Sequence, residues 1–313
     1  MIAYVVNRVL SIVPVVLIVA VVVFALIHLS PGDPAVMIAG DDATAADIER
    51  IRVQLGIGLP LYEQFAIWAA RILQGDLGNS IFSRQPVSTL IAQRFEPTLV
   101  LAASTMMFSV LVAVPIGALA AWRAGSWIDK TVMGTAVLGF SIPVFIVGYG
   151  LIWLLSIKFD LLPVQGYAPL RGGVWGTLQT IAMPTIALGF AYVALIARIT
   201  RAAVLEMLHK DFIRTARAKG LSEIKVLVRH ALANSAIPIV TTVGIGFAML
   251  VGGVVVVESV FAIPGIGRLT VDAILRRDYP IVQGVILLFS GIYILINLAV
   301  DLSYTYFDPR IRY

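Results

Sequence analysis

The sequence contains no cysteine, and only 13% of its 313 residues are charged. Without cysteine the chain has no disulfide framework, no thiolate metal site and no cysteine nucleophile. The scarcity of charge, together with 59% hydrophobic residues and a mean hydropathy of +0.95, excludes an ordinary soluble domain, in which about 25% of residues are charged. The composition therefore predicts an integral membrane protein.

The motifs of common enzyme classes are missing as well. The three histidines form no H-E-x-x-H site, and there is no G-x-S-x-G elbow, which argues against an intramembrane protease. No glycine precedes a lysine, so the chain lacks a phosphate-binding P-loop. We therefore expect a non-catalytic chain without a bound cofactor or metal. Any energy for active transport then has to come from a partner.

Six apolar runs are long enough to cross a membrane, which takes about 20 helical residues. The first run follows Arg8 and resembles a signal peptide in that respect, but it is too long and lacks an A-x-A end. We predict six transmembrane helices, at 9–29, 97–121, 131–157, 180–197, 239–261 and 282–302.

Lys and Arg residues collect on the cytoplasmic side of membrane proteins, and this bias predicts the orientation. With the N-terminus inside, the inner segments hold thirteen of these residues and the two short outer loops hold five. Both termini are therefore predicted to be cytoplasmic. The net charge of +5 follows from the same bias, and it does not indicate a nucleic-acid partner.

The predicted spans contain few ionisable residues. His28, Glu258 and Asp301 all lie close to span ends, where interfacial or capping roles suffice. Transporters driven by protons or sodium need an acid near the membrane midplane. Its absence argues against a self-sufficient secondary transporter or channel, which is the alternative from another class.

The segment "GFSIPVF" at 139–145 places a proline inside the third predicted span. Membrane helices tolerate proline, so a simple kink is one interpretation, and a bend that lines a pore is the other. Ser141, Pro143 and Asn297 are the candidate pathway residues. Asn297 has the alternative role of a polar contact between helices.

The most unusual segment is a basic loop at 198–238, which carries eight Lys or Arg residues. Its first part is rich in helix-forming residues, and Gly220 stands where a helix would end. Ser222 is placed to cap a second, amphipathic helix. The predicted apolar face of that helix consists of Leu221, Ile224, Leu227, Val228, Ala231 and Leu232.

Three explanations of the basic loop compete. It is a plain positive-inside loop, a surface for anionic lipid, or a docking site for a cytoplasmic protein. About forty residues with ordered helical patterns exceed what charge bias alone requires, and this favours docking.

The segment "DFIRTARAKGLS" at 211–222 resembles the cytoplasmic loop of the first permease subunit of bacterial dipeptide, oligopeptide and nickel importers of the ATP-binding-cassette class. That class carries an E-A-A-x-x-x-G pattern, whereas here Arg214, Thr215 and Ala216 fill the triplet before Gly220. The R-T-A-R-A-K-G variant is similar to that of the peptide branch. Further similar segments occur in the same order, at 30–35, 55–81, 257–284 and 308–313.

The resemblance implies an all-α membrane protein with the type I permease fold of such importers. It implies a tail and first span at 1–30, a helical extracytoplasmic insertion at 31–96 and a permease core at 97–313. The loop would be a coupling segment that enters a cleft of the ATPase. The coupling residues it implies are Phe212, Arg214, Thr215, Ala216, Arg217, Ala218, Lys219, Gly220 and Leu221.

The resemblance also implies partners and a location. These are a second homologous permease in a heterodimer, two ATPase subunits that use ATP and magnesium, an extracytoplasmic peptide-binding protein, and the lipids of the bacterial cytoplasmic membrane. The implied function is import of dipeptides or oligopeptides. Nickel chelates, glutathione or opines are the alternative cargoes, and the small number of metal-binding side chains favours peptides.

The insertion also predicts two helices of its own. Thr44 and Asp47 form an N-terminal capping signature, and Gly56 follows the apolar periodicity. A second helix begins at Pro60 and ends before Gly75. This region is either a simple cap or a surface that meets the binding protein.

Overall fold

The structure is a computed structural model that describes residues 2–29, 34–39, 43–56 and 58–307. The secondary-structure elements of these residues are all helices, and the only β-type contacts among them are isolated bridge residues, including the pair Asn79 and Pro86. The prediction of an all-α protein is therefore confirmed. The similar segment at 308–313 and most of the one at 30–35 lie outside the described residues.

Thirteen α-helices occur in the described chain. A π-helical segment (Ile152–Lys158) follows α7, a 3₁₀ turn (Leu170–Gly172) precedes α8, and a second π-helical segment (Val226–Leu232) follows α10. The α-helices are α1 (Ile2–Leu29), α2 (Pro34–Ala39), α3 (Ala45–Leu55), α4 (Leu61–Leu73), α5 (Val87–Trp122), α6 (Trp127–Ser141), α7 (Val144–Leu151), α8 (Val174–Leu208), α9 (Asp211–Ala218), α10 (Glu223–Lys225), α11 (Ala236–Val260), α12 (Ile266–Arg276) and α13 (Tyr279–Phe307).

Among the described residues, four helices are each long and apolar enough to cross a membrane, namely α1, α5, α8 and α13. Two bent pairs raise the number to six if each pair counts as one span. One pair joins α6 to Val144–Lys158 with a bend of 102°, and the other joins Glu223–Leu232 to Ala236–Leu250 with a bend of 61°.

The third predicted span, 131–157, is broken in its middle. Ser141 ends α6, Ile142 is extended at φ −93° and ψ 119°, and Pro143 precedes α7. A proline disfavours helical backbone at the residue before it and supplies no N–H for the helical hydrogen bonds. The expected kink is therefore present, but at 102° it is a sharp break between two helices.

The chain forms two compact units. The first consists of the described parts of Met1–Glu96 and Gly265–Leu295, and the second of those of Pro97–Pro264 and Ile296–Tyr313. The core of the first unit joins α5, α12 and α13 through the buried residues Val87, Leu90, Ile91, Ile266, Leu269, Ala273, Ile281 and Val285.

The predicted caps in the first unit are confirmed. The Thr44 side chain accepts a hydrogen bond from the Asp47 N–H, and the Asp47 carboxylate accepts one from the Thr44 N–H. Helix α3 ends at Gly56, whose φ is +66°. Helix α4 begins after Pro60 and ends at Leu73, immediately before Gln74 and Gly75.

A short hairpin at 78–87 is fixed to the start of α13 by a buried acid. The Asp278 carboxylate accepts a 2.6 Å hydrogen bond from the Ser80 hydroxyl and a 3.3 Å bond from the Ile81 N–H. Asp278 is 1% exposed and Ser80 is 3% exposed. Buried polar groups need hydrogen-bond partners, and here the partners of Asp278 lie in the hairpin. The hairpin is therefore held in place.

The core of the second unit is built around α8, which packs with parts of α5 and α11. Glu258 near the end of α11 is fully buried, and its carboxylate accepts a 2.6 Å hydrogen bond from the Thr98 hydroxyl of α5. Glu258 therefore links α11 to α5, which agrees with the anchoring role expected of an acid close to a span end.

Helices α5 and α8 approach closely at Gly117. A Cβ atom placed there would lie 2.6 Å from the Ala197 carbonyl oxygen and 2.8 Å from the Thr200 Cβ. Backbone atoms cannot move aside cheaply, so the contact requires glycine. Small residues at helix crossings of this kind are typical of membrane proteins.

We expect Gly117→Ala to lower the free energy of unfolding by about 1–3 kcal/mol, because it overpacks this crossing. Gly134→Ala is the matched control, since no atom lies within 4 Å of a Cβ there. The control is expected to be neutral or to stabilise by up to about 1 kcal/mol through helix propensity. Thermal unfolding in detergent measures both variants, and equal stability of the two would contradict the close contact.

Candidate functional site

The candidate site is the basic corner, which we define as residues Lys210–Lys225. Helix α9 begins with Asp211 in its first turn and has Arg217 in its last turn. Both charges suit the helix dipole, which favours acids at the N-terminus and bases at the C-terminus. The sequence thus encodes a short helix that ends among basic residues.

Gly220 ends this helix in the left-handed conformation, with φ +76°. The Gly220 N–H donates to the Arg217 carbonyl at 2.9 Å, and the Leu221 N–H donates to the Ala216 carbonyl at 3.3 Å. These two bonds are those of a Schellman motif. The predicted position of Gly220, just after the helix end, is confirmed.

One face of α9 is buried in the protein's own core. Ile213 is fully buried and Ala216 is 6% exposed. They belong to a cluster that also contains Val204 of α8 and Ala121 of α5. The corner is therefore an anchored structure with a fixed orientation in the second unit.

The segment after Gly220 differs from the predicted amphipathic helix. Ser222 occupies the N-cap position, but its side chain makes no capping bond, and the α-helix lasts only to Lys225. A π-helical segment follows and buries Val226 and Ala231. Their spacing of five residues matches the i to i+5 hydrogen bonds of a π-helix, which bring these two side chains to the same face.

The π-helical turn also explains two errors in the predicted apolar face. Ile224 is 68% exposed and Val228 is 55% exposed, although a regular α-helix would place them with the buried residues. Leu227 and Leu232 do pack against the cluster as predicted.

An ion pair closes the corner across Gly220. The Arg217 Nε donates to Glu223 Oε1 at 2.9 Å, and its Nη2 donates to Oε2 at 3.1 Å. The sequence reasoning assigned Arg217 to a partner protein and missed this internal pairing. The two side chains are 43% and 46% exposed, so the pair fixes geometry more than it adds stability.

The nine predicted coupling residues separate into two groups. Ala216 is buried, and Leu221 packs against the same cluster, so Leu221 contacts the chain's own core. The sequence reasoning also missed Ile213, which the spacing of three from Ala216 could have revealed. The remaining seven are exposed, namely Phe212, Arg214, Thr215, Arg217, Ala218, Lys219 and Gly220.

The exposed face of the corner combines one aromatic ring with positive charge. Phe212 is 42% exposed. The Arg214 side chain is 80% exposed and contacts Asp211 only at 3.5 Å. Such a face can bind an acidic protein surface that also offers an apolar pocket.

A second ion pair lies in the helices that lead to the corner. The Arg201 guanidinium of α8 binds the Asp129 carboxylate of α6 through two hydrogen bonds, of which the Nη2–Oδ2 bond is 2.6 Å. The Gly125 N–H also donates to Asp129 at 2.9 Å. The Asp129 side chain is 6% exposed, so this pair rigidly joins α6 to the end of α8.

We expect Asp129→Asn to lower the free energy of unfolding by about 1–3 kcal/mol, because it leaves the partly buried Arg201 guanidinium, whose side chain is 25% exposed, without its anion. Asp211→Asn is the matched control, because its carboxylate is 94% exposed and its loss costs at most about 0.5 kcal/mol. Chemical unfolding of both variants is the measurement. A small effect of Asp129→Asn would show that the pair does not support the fold.

The three candidate pathway residues have different surroundings. Ser141 and Pro143 flank the sharp break between α6 and α7, and both are exposed. The Ser141 hydroxyl donates to the Val137 carbonyl at 3.0 Å. Asn297 is half-buried on α13 and has an interaction partner.

Two protein families together match nearly the whole chain. The family described as "Binding-protein-dependent transport system inner membrane component" matches residues 113–313. Its N-terminal companion among the membrane components of these systems matches residues 1–102.

Full-length relatives are also similar. The chain is 49% identical over 310 residues to "Probable peptide ABC transporter permease protein y4tP" of Sinorhizobium fredii, covering 99% of both chains. It is 45% identical over 313 residues to "Glutathione transport system permease protein GsiC" of Escherichia coli K12, covering 100% of both.

A solved structure shares the fold. An inward-facing structure of the MetNI methionine ABC transporter superposes with a TM-score of 0.59 at 20% identity, and covers 71% of this chain and 97% of that one. The resemblance to a type I importer permease is therefore confirmed for the fold.

Proposed function

The chain belongs to the binding-protein-dependent transport system inner membrane components, and from this premise we propose that it is one permease subunit of an importer for dipeptides or oligopeptides. Members of this family are multi-pass membrane components of ATP-binding-cassette importers, and partner ATPase subunits hydrolyse the ATP. The chain is therefore not an enzyme, and the alternative of a self-sufficient secondary transporter is set aside.

The observation that carries the mechanism is the construction of the basic corner. Its inner face is locked to α8 and α5 by Ile213 and Ala216, whereas its outer face presents Phe212 and Arg214 to the surroundings. An ATPase that binds the outer face would push directly on the helices behind it.

The movement would pass to the spans as a rigid-body rotation. Helix α9 is short and ends in a tight motif, so it cannot absorb the motion by bending. The buried Asp129–Arg201 pair would then carry the displacement from α8 to α6. Packed elements with two discrete arrangements transmit motion in this way.

The remaining features of the proposed assembly follow the family's architecture. The termini and the basic corner face the cytoplasm, and the helices between 31 and 96 face the opposite side and meet the binding protein. A second, homologous permease completes the pathway as a heterodimer in the bacterial cytoplasmic membrane. ATP and magnesium belong to the ATPases.

We expect Arg214→Glu and Gly220→Pro to reduce ATP-driven dipeptide uptake about tenfold or more. The first reverses a docking charge, and a lost charge-assisted hydrogen bond of about 1.5–3 kcal/mol corresponds to such a factor. The second is incompatible with the left-handed backbone at 220. The measurement uses proteoliposomes that hold this chain, its partner permease and the ATPases, with the binding protein added.

Two controls isolate the corner. Gly220→Asn should retain uptake, because asparagine tolerates positive φ. Arg171→Glu reverses an exposed charge in the 3₁₀ turn and should also retain uptake. Normal uptake by Arg214→Glu and Gly220→Pro, or transport by this chain alone along an ion gradient, would overturn the coupling role.

Glutathione is the second candidate cargo, because one full-length relative is a glutathione system permease. We expect labelled dialanine and trialanine to be taken up by the reconstituted importer, and glutathione to compete at least about tenfold less well, the difference that one unmatched polar group produces. Uptake of glutathione in preference to both peptides would assign the chain to the second cargo.

A further inference from the structure

A cleft of about 540 Å³ lies within the first unit. Its walls come from the last turns of α1, from α3 and α4, from the 78–87 hairpin and from the first turns of α13. Ligand sites are typically concave and mostly apolar with a few converging polar groups. None of the predicted coupling or pathway residues lines this cleft.

Aromatic and aliphatic side chains form one side of the cleft. Phe24 contacts Phe65 edge-on with ring centroids 5.5 Å apart, and Trp68 lies 5.8 Å from Phe24. Ile67 and Ile72 continue this surface along α4. The rings support one another, so the apolar wall is preformed.

The polar part of the lining includes charged side chains of both signs. Three arginines line the cleft, namely Arg50, Arg71 and Arg84, together with the carboxylates of Asp47 and Asp76. Arg71 donates two hydrogen bonds to Asp76, at 2.9 and 2.8 Å. Arg50 lies 3.2 Å from Asp47. Among the described lining residues these four charges balance, and Arg84 is the remaining charged side chain.

Arg84 is held in an unfavourable backbone conformation, with φ +56°. Residues other than glycine rarely adopt this left-handed conformation, and the surrounding hairpin enforces it. The Arg84 N–H donates to the Ser80 carbonyl at 3.0 Å, and Ser80 is fixed by buried Asp278. In the described part of the chain, no carboxylate forms an ion pair with Arg84.

The charge of Arg84 nevertheless acts on the cleft. The pKa of Asp47 is lowered, chiefly by the hydrogen bond from the Thr44 hydroxyl, and the positive charges of Arg50 and Arg84 contribute. Arg84 lines the same cleft as Asp47 of α3, so its positive charge is available to a ligand there.

Gln283 adds a fixed acceptor to this polar side. It is 9% exposed, and its amide nitrogen donates to the Val23 carbonyl at 2.8 Å. That bond fixes the orientation of the amide, and none of the described residues donates to its oxygen. The oxygen can accept a hydrogen bond from a ligand N–H or O–H.

We propose that this cleft binds an anionic amphiphile, with its carboxylate or phosphate at Arg84 and its apolar body against Phe24 and Trp68. The cleft lies where α1 ends and α13 begins, and both helices are membrane-span candidates. A ligand can therefore enter from the membrane interface or from water. An apolar dipeptide with a free carboxylate and an anionic phospholipid share the required chemistry.

The test uses the complete complex of this chain with its partner permease and ATPases, in nanodiscs of phosphatidylcholine. One arm measures equilibrium binding of tritiated N-acetyl-Leu-Phe, which is an anion, and of its C-terminal amide, which is uncharged. The other arm measures retention of added phosphatidylglycerol by native mass spectrometry. We expect at least one anionic probe to bind, and its neutral counterpart to bind at least about tenfold more weakly, the effect of one charge-assisted hydrogen bond.

Arg84→Gly separates binding from folding. Glycine relieves the positive-φ strain, so thermal stability should be unchanged or higher, while anion binding should fall at least about tenfold. Arg171→Ala, which removes another exposed arginine, should bind like the unmodified protein. Binding to only one of the two anionic probes identifies the source of the ligand.

Three results would overturn the proposal. They are no binding of either anionic probe, equal binding of the amide or of phosphatidylcholine, and full binding by Arg84→Gly. None of them bears on the coupling role of the basic corner, since ATP-driven uptake is measured separately. Likewise, if the reconstituted importer does not take up peptides, the phosphatidylglycerol arm still tests whether the cleft binds an anion.

Discussion

The burial of Ile213 and Ala216 is the interaction on which the basic corner depends. Burying one isoleucine side chain stabilises a structure by about 1.5–3 kcal/mol, whereas an exposed ion pair such as Arg217–Glu223 contributes about 0–1 kcal/mol. Apolar packing therefore decides where the corner lies, and the charges only refine its angle. This division leaves most of the basic side chains exposed, so that one short helix carries both a buried apolar face and an exposed basic face.

The features predictable from sequence are those encoded by neighbouring residues. The capping box at Thr44 and Asp47, the glycine ends at Gly56 and Gly220 and the long apolar helices all follow from local rules. The missed features needed either tertiary contacts or an unusual backbone. Asp129 and Arg201 are 72 positions apart, and no local sequence pattern predicts their ion pair. The π-helical turn changes the period that places Val226 and Ala231 inside, and the 102° bend follows from packing around a proline that a membrane helix could equally have tolerated.

Three buried acids join distant segments of this apolar chain. Asp129 links α6 to α8, Glu258 links α11 to α5, and Asp278 links the 78–87 hairpin to α13. Each has at least one close donor and little exposure, which satisfies the requirement that buried charge or polarity be paired. Because most helix surfaces in this chain are apolar, apolar packing alone distinguishes poorly between alternative helix arrangements. A buried acid that needs matching donors restricts the choice, and this is one physical reason for the presence of polar groups inside the protein.

The Arg217–Glu223 pair and the Asp129–Arg201 pair lie on the same mechanical route but in different surroundings. The first is nearly half exposed, and the second is mostly enclosed. Mobile ions screen exposed charges over about 8–10 Å at physiological ionic strength, and they screen buried pairs much less. As salt rises, the corner loosens across Gly220 while the joint between α6 and α8 stays stiff. The stiffness along these helices is thus graded, with its most compliant and most salt-dependent part at the exposed basic corner.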